Sequence, residues 1–332
     1  MQCEPAAGKK PPLVLGYGTA GFDPSAIDDG VIVKPELIAA AAKKMFLHGF
    51  QGELSTRRAV MALPTYRSFS RSMQLPPLAG SELKQAVELE MEQYIPVPLK
   101  ELYFDYSIVH RTATELELFA VAIPRKVVDS YLGLAETMGM EPILVETTMS
   151  SAARLFSHDK NSDIPSVIID FGSQTADIGV YHRSTLVSGT VPSGGLVFTK
   201  LIKDKLKVSE AEAGFIKTKY GLSKSKKQDE IIEAVKPALQ KILTEIRRMT
   251  RYYEERYGAE HPIGQIVILG GGANMPGLGD HLTEALRTPV RSFNPWNLLN
   301  YADLSLPTGP DRLMYATVAG LSLVKPKEIF AA

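Results

Sequence analysis

The 332-residue chain contains one cysteine, Cys3, near its start. No disulfide can form within the chain, and such cysteine use fits a reducing, cytoplasmic setting. The six histidines are dispersed, at positions 48, 110, 158, 182, 261 and 281, with no HxxxH or CxxC spacing, so a zinc site is not expected. Apolar runs are short, and none approaches the ~18 residues that a membrane-spanning helix requires. The opening MQCEPAAGKKPP lacks the apolar core of a secretion signal. Charge of one sign is lacking as well. The 37 basic and 37 acidic residues leave a formal net charge of zero, which gives no support for nucleic-acid binding through a basic surface.

What remains is an ordinary soluble composition, 45% hydrophobic and 22% charged, in a length that suits about two domains. The most informative stretch runs from Val167 to Tyr181, VIIDFGSQTADIGVY. An apolar run ends in Asp170, Gly172 to Thr175 are small or polar, and a second apolar run follows, which together read as a tight hairpin. Gly172 permits close backbone approach, and Ser173 and Thr175 add hydroxyls beside exposed amides. Such a turn can cradle phosphate oxygens, with Asp170 holding a magnesium ion through water. An ordinary hairpin whose aspartate caps the turn has the same appearance.

Elsewhere the pattern alternates helices and strands. Residues 1–12 read as a disordered tail and Leu13 onward as a strand. Pro35 to about His48 reads as an amphipathic helix. Residues 57–140 form a compact α+β block, in which a helix from Ser81 to Tyr94 places Leu83, Val87 and Met91 on one face before Ile95-Pro96-Val97-Pro98 ends it. A helix begins near Thr147. Beyond the hairpin come a strand to Val191, Pro192-Ser193-Gly194-Gly195, a helix to about Leu206, and a second helix opened by the capping sequence Ser209-Glu210-Ala211-Glu212. Val235, Leu239, Ile242, Ile246, Met249 and Tyr253 mark the apolar stripe of a long helix from 231 to 257, with Pro237 near its start. The strand Gln265–Leu269 then enters Gly270-Gly271-Gly272-Ala273-Asn274, where three glycines allow close passage of a ligand.

Glycine-bearing turns thus stand at strand ends in a fixed order: Asp170-x-Gly172, Gly194-Gly195 and Gly270-Gly271-Gly272. The ordered set resembles the actin-like ATPase superfamily. Within it the chain is most similar to the PilM family of type IV pilus assembly, on account of Glu90-Met91-Glu92-Gln93-Tyr94-Ile95-Pro96 followed by Phe104-Asp105-Tyr106. The likeness covers nearly the whole chain from about residue 13.

The resemblance implies an α/β, actin-like (ribonuclease H-like) two-domain ATPase fold with an inserted α+β subdomain. Domain I would comprise 13–56, 141–164 and 303–332, with its first strands missing; 57–140 would be the inserted SHS2-type subdomain; and 165–302 would be domain II, with 198–262 as its helical outer part. ATP and Mg²⁺ are the implied cofactors. Asp170, Gly172, Ser173, Gln174 and Thr175 match the second phosphate loop, with Asp170 holding Mg²⁺ through water. Gly194 and Gly195 match the following turn, and Gly270, Gly271, Gly272 and Asn274 the adenosine motif. Glu212 and Lys217 are candidates on the helix that contacts the nucleoside, although Gly214 occupies the position where relatives carry glutamate. Glu146 falls where the family places a connecting helix whose polar residue orients the attacking water. The family's opening Asp-x-Gly hairpin has no counterpart ahead of Leu13, which implies either a gene start set too late or the loss of half the phosphate clamp, and the exposed sheet edge that a real loss would leave favours the first.

The implied function is an ATP-binding cytoplasmic scaffold of the pilus inner-membrane platform, at most a weak ATPase. Its partner would be the cytoplasmic N-terminal peptide of a PilN-like membrane protein, alongside other pilus assembly proteins and self-association, with the membrane reached only through that partner. An FtsA-like division protein has the same architecture but needs a basic amphipathic C-terminal helix, and KPKEIFAA is short and broken by Pro326. A sugar or acetate kinase needs a substrate pocket that 57–140 does not offer. A degenerate scaffold without nucleotide is the remaining alternative.

Overall fold

The computed structural model describes residues 1–4, 10–258 and 260–329. By internal packing the chain divides into two units: Met1–Ser151 with Leu298–Ser305 and Val318–Ala332, and Ala152–Asn297 with Leu306–Thr317. The segment 306–317 thus falls in the second unit, whereas the sequence groups 303–332 with the first.

In the first unit, β1 (Gln2–Glu4) pairs antiparallel with β2 (Leu13–Tyr17). This corrects the expectation of a disordered tail over 1–12, of which residues 5–9 lie outside the described residues. The strand forms because Gln2 to Glu4 finds ladder partners in Leu13 to Gly16. A short hairpin of β3 (Ile27–Asp28) and β4 (Val31–Ile32) precedes α1 (Pro35–His48), and β5 (Gln51–Gly52) joins the edge of β2. Helix α1 buries no residue, so its apolar side is only half covered.

Strand β6 (Arg58–Leu63) is followed by β7 (Phe69–Leu75), α2 (Gly80–Tyr94), β8 (Leu102–Arg111) and β9 (Leu116–Pro124). The last three strands make an antiparallel sheet in the order β7-β9-β8. Helix α2 turns Leu83, Val87 and Met91 into a shared core with Leu116, Leu118, Ala120 and Ala122. That spacing of four residues follows from 3.6 residues per turn. Helix α3 (Arg125–Thr137) comes next, and β10 (Glu141–Thr147) pairs parallel with β6. Sequence patterning misses β10 because Glu141-Pro142 opens it and Glu146 interrupts its apolar run.

Helix α4 (Thr148–Phe156) starts in the first unit and ends in the second. The second unit is built on a five-stranded sheet. Strands β11 (Ser166–Phe171) and β12 (Ala176–His182) form the hairpin, and β13 (Ser184–Val191) continues it antiparallel. Helices α5 (Gly195–Leu206), α6 (Glu210–Lys219) and α7 (Gln228–Tyr257) follow, then β14 (Gln265–Leu269), α8 (Leu278–Leu286) and β15 (Val290–Ser292). The sheet order is β13-β12-β11-β14-β15, with β11, β14 and β15 parallel. All of Gln265 to Leu269 is buried, as a central parallel strand requires.

The whole stripe from Val235 to Tyr253 is buried beneath α7, where each large apolar side chain stabilises by roughly 1.5–3 kcal/mol. The helix runs through Pro237, which gives up one backbone hydrogen bond. Helices α9 (Ala316–Ser322) and α10 (Pro326–Ile329) end the described chain. Among the described residues no helix is long and apolar enough to cross a membrane.

Candidate functional site

The hairpin turn Gly172–Thr175 sits between β11 and β12, which pair in register from Ser166↔Tyr181 to Phe171↔Ala176. The Gly172 amide donates to the Thr175 carbonyl at 2.9 Å and closes the turn. Ser173 and Gln174 are exposed at its tip, and their amides donate to no backbone oxygen among the described residues. The turn therefore offers free N–H donors next to a hydroxyl, as an anion-binding turn must.

The start of α5 is spent on holding that turn in place. The amides of Gly194, Gly195 and Leu196 donate to the carbonyls of Gln174, Gly172 and Ser173 at 2.9, 3.0 and 2.7 Å. A β-carbon on Gly194 would lie 2.5 Å from the Thr175 nitrogen, so only glycine lets the helix approach so closely. Gly194 and Gly195 are themselves buried. The amides of this glycine pair are bonded to the turn, and the pair shapes it.

Lys217 reaches the same place from α6. Its ammonium donates to the Gly195 carbonyl and to the Thr199 hydroxyl, both at 2.8 Å. Burial lowers its pKa. Glu212 is not brought there. It is exposed and completes a capping box at the start of α6, accepting from the Ser209 amide at 2.9 Å, and this bond lowers its pKa. Five residues apart, Glu212 and Lys217 point about 140° from each other around the helix. Gly214, three before Lys217, faces open space.

Asp170 is the penultimate residue of β11, and its carboxyl is buried. Burial raises its pKa to about 7, assisted by the charge of Asp177, while a hydrogen bond from Thr317 acts in the opposite sense. Thr317 Oγ1 lies 3.5 Å from Asp170 Oδ2. Asp177 is the cross-strand partner of Asp170 and accepts from Thr190 Oγ1 at 2.6 Å. Two carboxylates facing each other across the ladder, one of them shifted to neutral pH, suit a divalent cation brought in with a ligand. Asp177 and Thr317 escaped the sequence reading. Asp177 carries a signal, an acidic residue inside an apolar strand, whereas nothing in the sequence marks Thr317.

The glycine run after β14 lies against this carboxylate. Gly270 has φ +83°, and a β-carbon there would collide with Asp170 Oδ1 and the Phe171 carbonyl. A β-carbon on Gly272 would come 2.9 Å from that of Phe171. Gly271 is exposed, and Asn274 donates to its carbonyl at 3.2 Å. Residues Gly271–Asn274 form a 3₁₀ turn, so the α-helix expected near Pro276 begins only at Leu278. The turn is tied to the end of α6, because Leu222 N donates to the Pro276 carbonyl at 2.7 Å. One patch of the second unit thus holds Asp170, the hairpin tip, Lys217 and the glycine turn.

Glu146 is half-buried on strand β10 of the first unit, with Ala62 as its ladder partner. It sits on a strand and not on the connecting helix that the resemblance implied, since α4 begins two residues later, where Ser150 N donates to the Thr147 hydroxyl at 3.0 Å.

The model of the family described as type IV pilus assembly protein PilM matches residues 17–325. The chain belongs to the PilM family. A solved PilM–PilN type IV pilus biogenesis complex is similar over 97% of this chain and 93% of that one, with a TM-score of 0.82 and 20% identity. MreB5 of Spiroplasma citri, solved with AMPPNP bound, matches 89% of this chain and 76% of its own, with a TM-score of 0.52 and 15% identity. The ethanolamine utilization protein EutJ of Carboxydothermus hydrogenoformans matches 90% and 77%, with a TM-score of 0.50 and 17% identity. The fold is therefore the actin-like α/β fold, and the family match does not favour the division-protein alternative.

Proposed function

We propose that the chain is a nucleotide-binding scaffold of the type IV pilus inner-membrane platform, or of a type II secretion-like platform. It would act in the cytoplasm and engage the cytoplasmic N-terminal peptide of a PilN-like membrane protein. Membership of the PilM family carries this reading, together with the likeness to a protein solved in complex with PilN. The implied inserted subdomain of 57–140 would border the groove that takes the peptide, and such a groove relies on apolar pockets and backbone partners more than on charge. Other pilus assembly proteins and further copies of this chain complete the expected partners.

ATP with Mg²⁺ is the ligand that the second unit fits best. Ser173, Gln174 and Thr175 would offer amides and hydroxyls to phosphate oxygens, and Lys217 would add positive charge. Asp170 would hold Mg²⁺ through water, for which it must give up its proton. Gly270, Gly271, Gly272 and Asn274 would lie along the nucleoside, with Gly172, Gly194 and Gly195 shaping the phosphate turn. Glu212 serves α6 as a cap and does not enter this account as a ligand. When bound, Mg²⁺ would supply charge neutralisation for the phosphates. Glu146 is proposed to orient water for a turnover that is at most slow.

Titrating a fluorescent synthetic peptide of the partner's cytoplasmic N-terminus into the purified chain tests the scaffold reading. Saturable binding with micromolar or tighter affinity is expected; an absence of binding at millimolar protein would refute it.

A further inference from the structure

The polar row that crosses the sheet of the second unit at Asp170 continues onto a third strand. Asp170 on β11 stands opposite Asp177 on β12, and Asp177 stands opposite Thr190 on β13. Residues directly opposite across antiparallel strands share a face, with β-carbons about 5 Å apart. Their chain neighbours Phe171, Ala176, Ile178 and Val191 all belong to the core beneath α7. Side chains alternate along a strand, so Asp170, Asp177 and Thr190 lie together on the other face.

Each carboxylate on that face is met by a threonine. Thr190 Oγ1 donates to Asp177 Oδ1 at 2.6 Å, the length of a charge-assisted O–H···O⁻ bond. Thr317 Oγ1 lies at the longer distance of 3.5 Å from Asp170 Oδ2, while Gly270 backs Asp170 Oδ1. A β-branched side chain is stiff about χ1, so Thr190 presents its hydroxyl from a fixed place in the strand.

Packing alone does not account for this row. Asp177 is 7% exposed, and taking a carboxylate out of water is costly. A second carboxylate directly opposite adds repulsion. Apolar residues of similar volume at 177 and 190 would fill the space without either cost. A divalent cation brought to Asp170 reverses the balance, because it removes the repulsion and makes use of both groups.

We infer that Thr190 is a positioning residue for the metal of this site: its hydroxyl fixes the Asp177 carboxylate, so that Asp177 joins Asp170 in holding Mg²⁺. The inference rests on the nucleotide reading in that it places the cation at Asp170. It concerns the cation and not the nucleoside.

The test uses the full chain at pH 8 and Mn²⁺, which takes the same oxygen ligands as Mg²⁺ and is followed by electron paramagnetic resonance. Mn²⁺ is titrated with and without ATP into the wild type, Thr190→Val, Thr190→Ser and Asp177→Asn. Thr190→Val should weaken Mn²⁺ binding at least fivefold, Thr190→Ser should restore it to within twofold of wild type, and Asp177→Asn should weaken it at least tenfold. ATP affinity measured in EDTA should be the same in the wild type and Thr190→Val, a separation that a merely structural role would not produce. The inference fails if these two proteins bind Mn²⁺ alike, if serine does not rescue, or if ATP affinity in EDTA falls as far as Mn²⁺ affinity. It fails too if the wild type holds no Mn²⁺ in either condition. Should Thr190→Val not fold, equal Mn²⁺ affinity in Asp177→Asn and the wild type overturns it. Thr190-dependent Mn²⁺ binding without any ATP binding keeps the inference and removes the nucleotide reading, and ATP binding with Mn²⁺ affinity indifferent to Thr190 does the reverse.

Discussion

Asp170 and Asp177 stand directly opposite each other across the β11–β12 ladder. Burial disfavours the charged form of Asp170, and the like charge of Asp177 adds to the cost, so Asp170 keeps its proton to about pH 7. An unfolded aspartate releases its proton near pH 4. Between those limits the unfolded chain has lost a proton that the folded chain retains, so the ligand-free protein loses stability as pH rises from about 4 to 7. Urea denaturation should show a decline on the order of 1 kcal/mol per pH unit in that window. Asp170→Asn should flatten the decline, and an equal slope in the variant would contradict the assignment.

Gly270 carries a backbone and packing demand that no other residue meets. Its φ is +83°, and a side chain would strike the Asp170 carboxylate. Gly270→Ala should therefore destabilise by more than about 2 kcal/mol, from strain and overpacking together. Thermal denaturation checks this, and a shift within error of wild type would refute the close packing of β14 against β11.

Gly214 is the reverse case. It lies inside α6 with open space around its missing side chain. Gly214→Ala should raise stability by about 1 kcal/mol, the usual difference in helix propensity. A destabilised variant would mean that the position is filled in solution.

Glu212 and Lys217 divide the work on α6. Ser209→Ala should cost about 1 kcal/mol through loss of the cap while leaving nucleotide affinity unchanged. Lys217→Met should weaken nucleotide affinity at least tenfold with little change in the melting temperature. Binding assays on both variants separate the roles, and the opposite pattern would reinstate Glu212 as the ligand.

Much of this was legible in the sequence, for reasons that particular residues make plain. The apolar stripe from Val235 to Tyr253 and the face Leu83, Val87, Met91 follow helical periodicity, and all are buried as that predicts. The Ser209–Glu212 capping sequence was equally readable, yet family likeness also nominated Glu212 as a ligand, and local hydrogen bonding won. Strand β1 was hidden because Gln2 to Glu4 gains its order from β2 and not from its own propensity. Gly194 reports in the sequence a need for close approach without saying what approaches, and in the fold the backbone of Gln174 and Thr175 does so. Thr317 lies 147 positions from Asp170, and only the fold brings them together.

Nucleotide binding by the second unit is the property on which the proposed function turns. Calorimetric titration of ATP with Mg²⁺ into the full chain tests it most directly, with Asp170→Ala measured alongside. Saturable binding by the wild type at pH 8, weakened as pH falls below 7 and reduced at least tenfold in the variant, is the predicted result. No heat of binding in the wild type, or equal affinity in the two proteins, would contradict it.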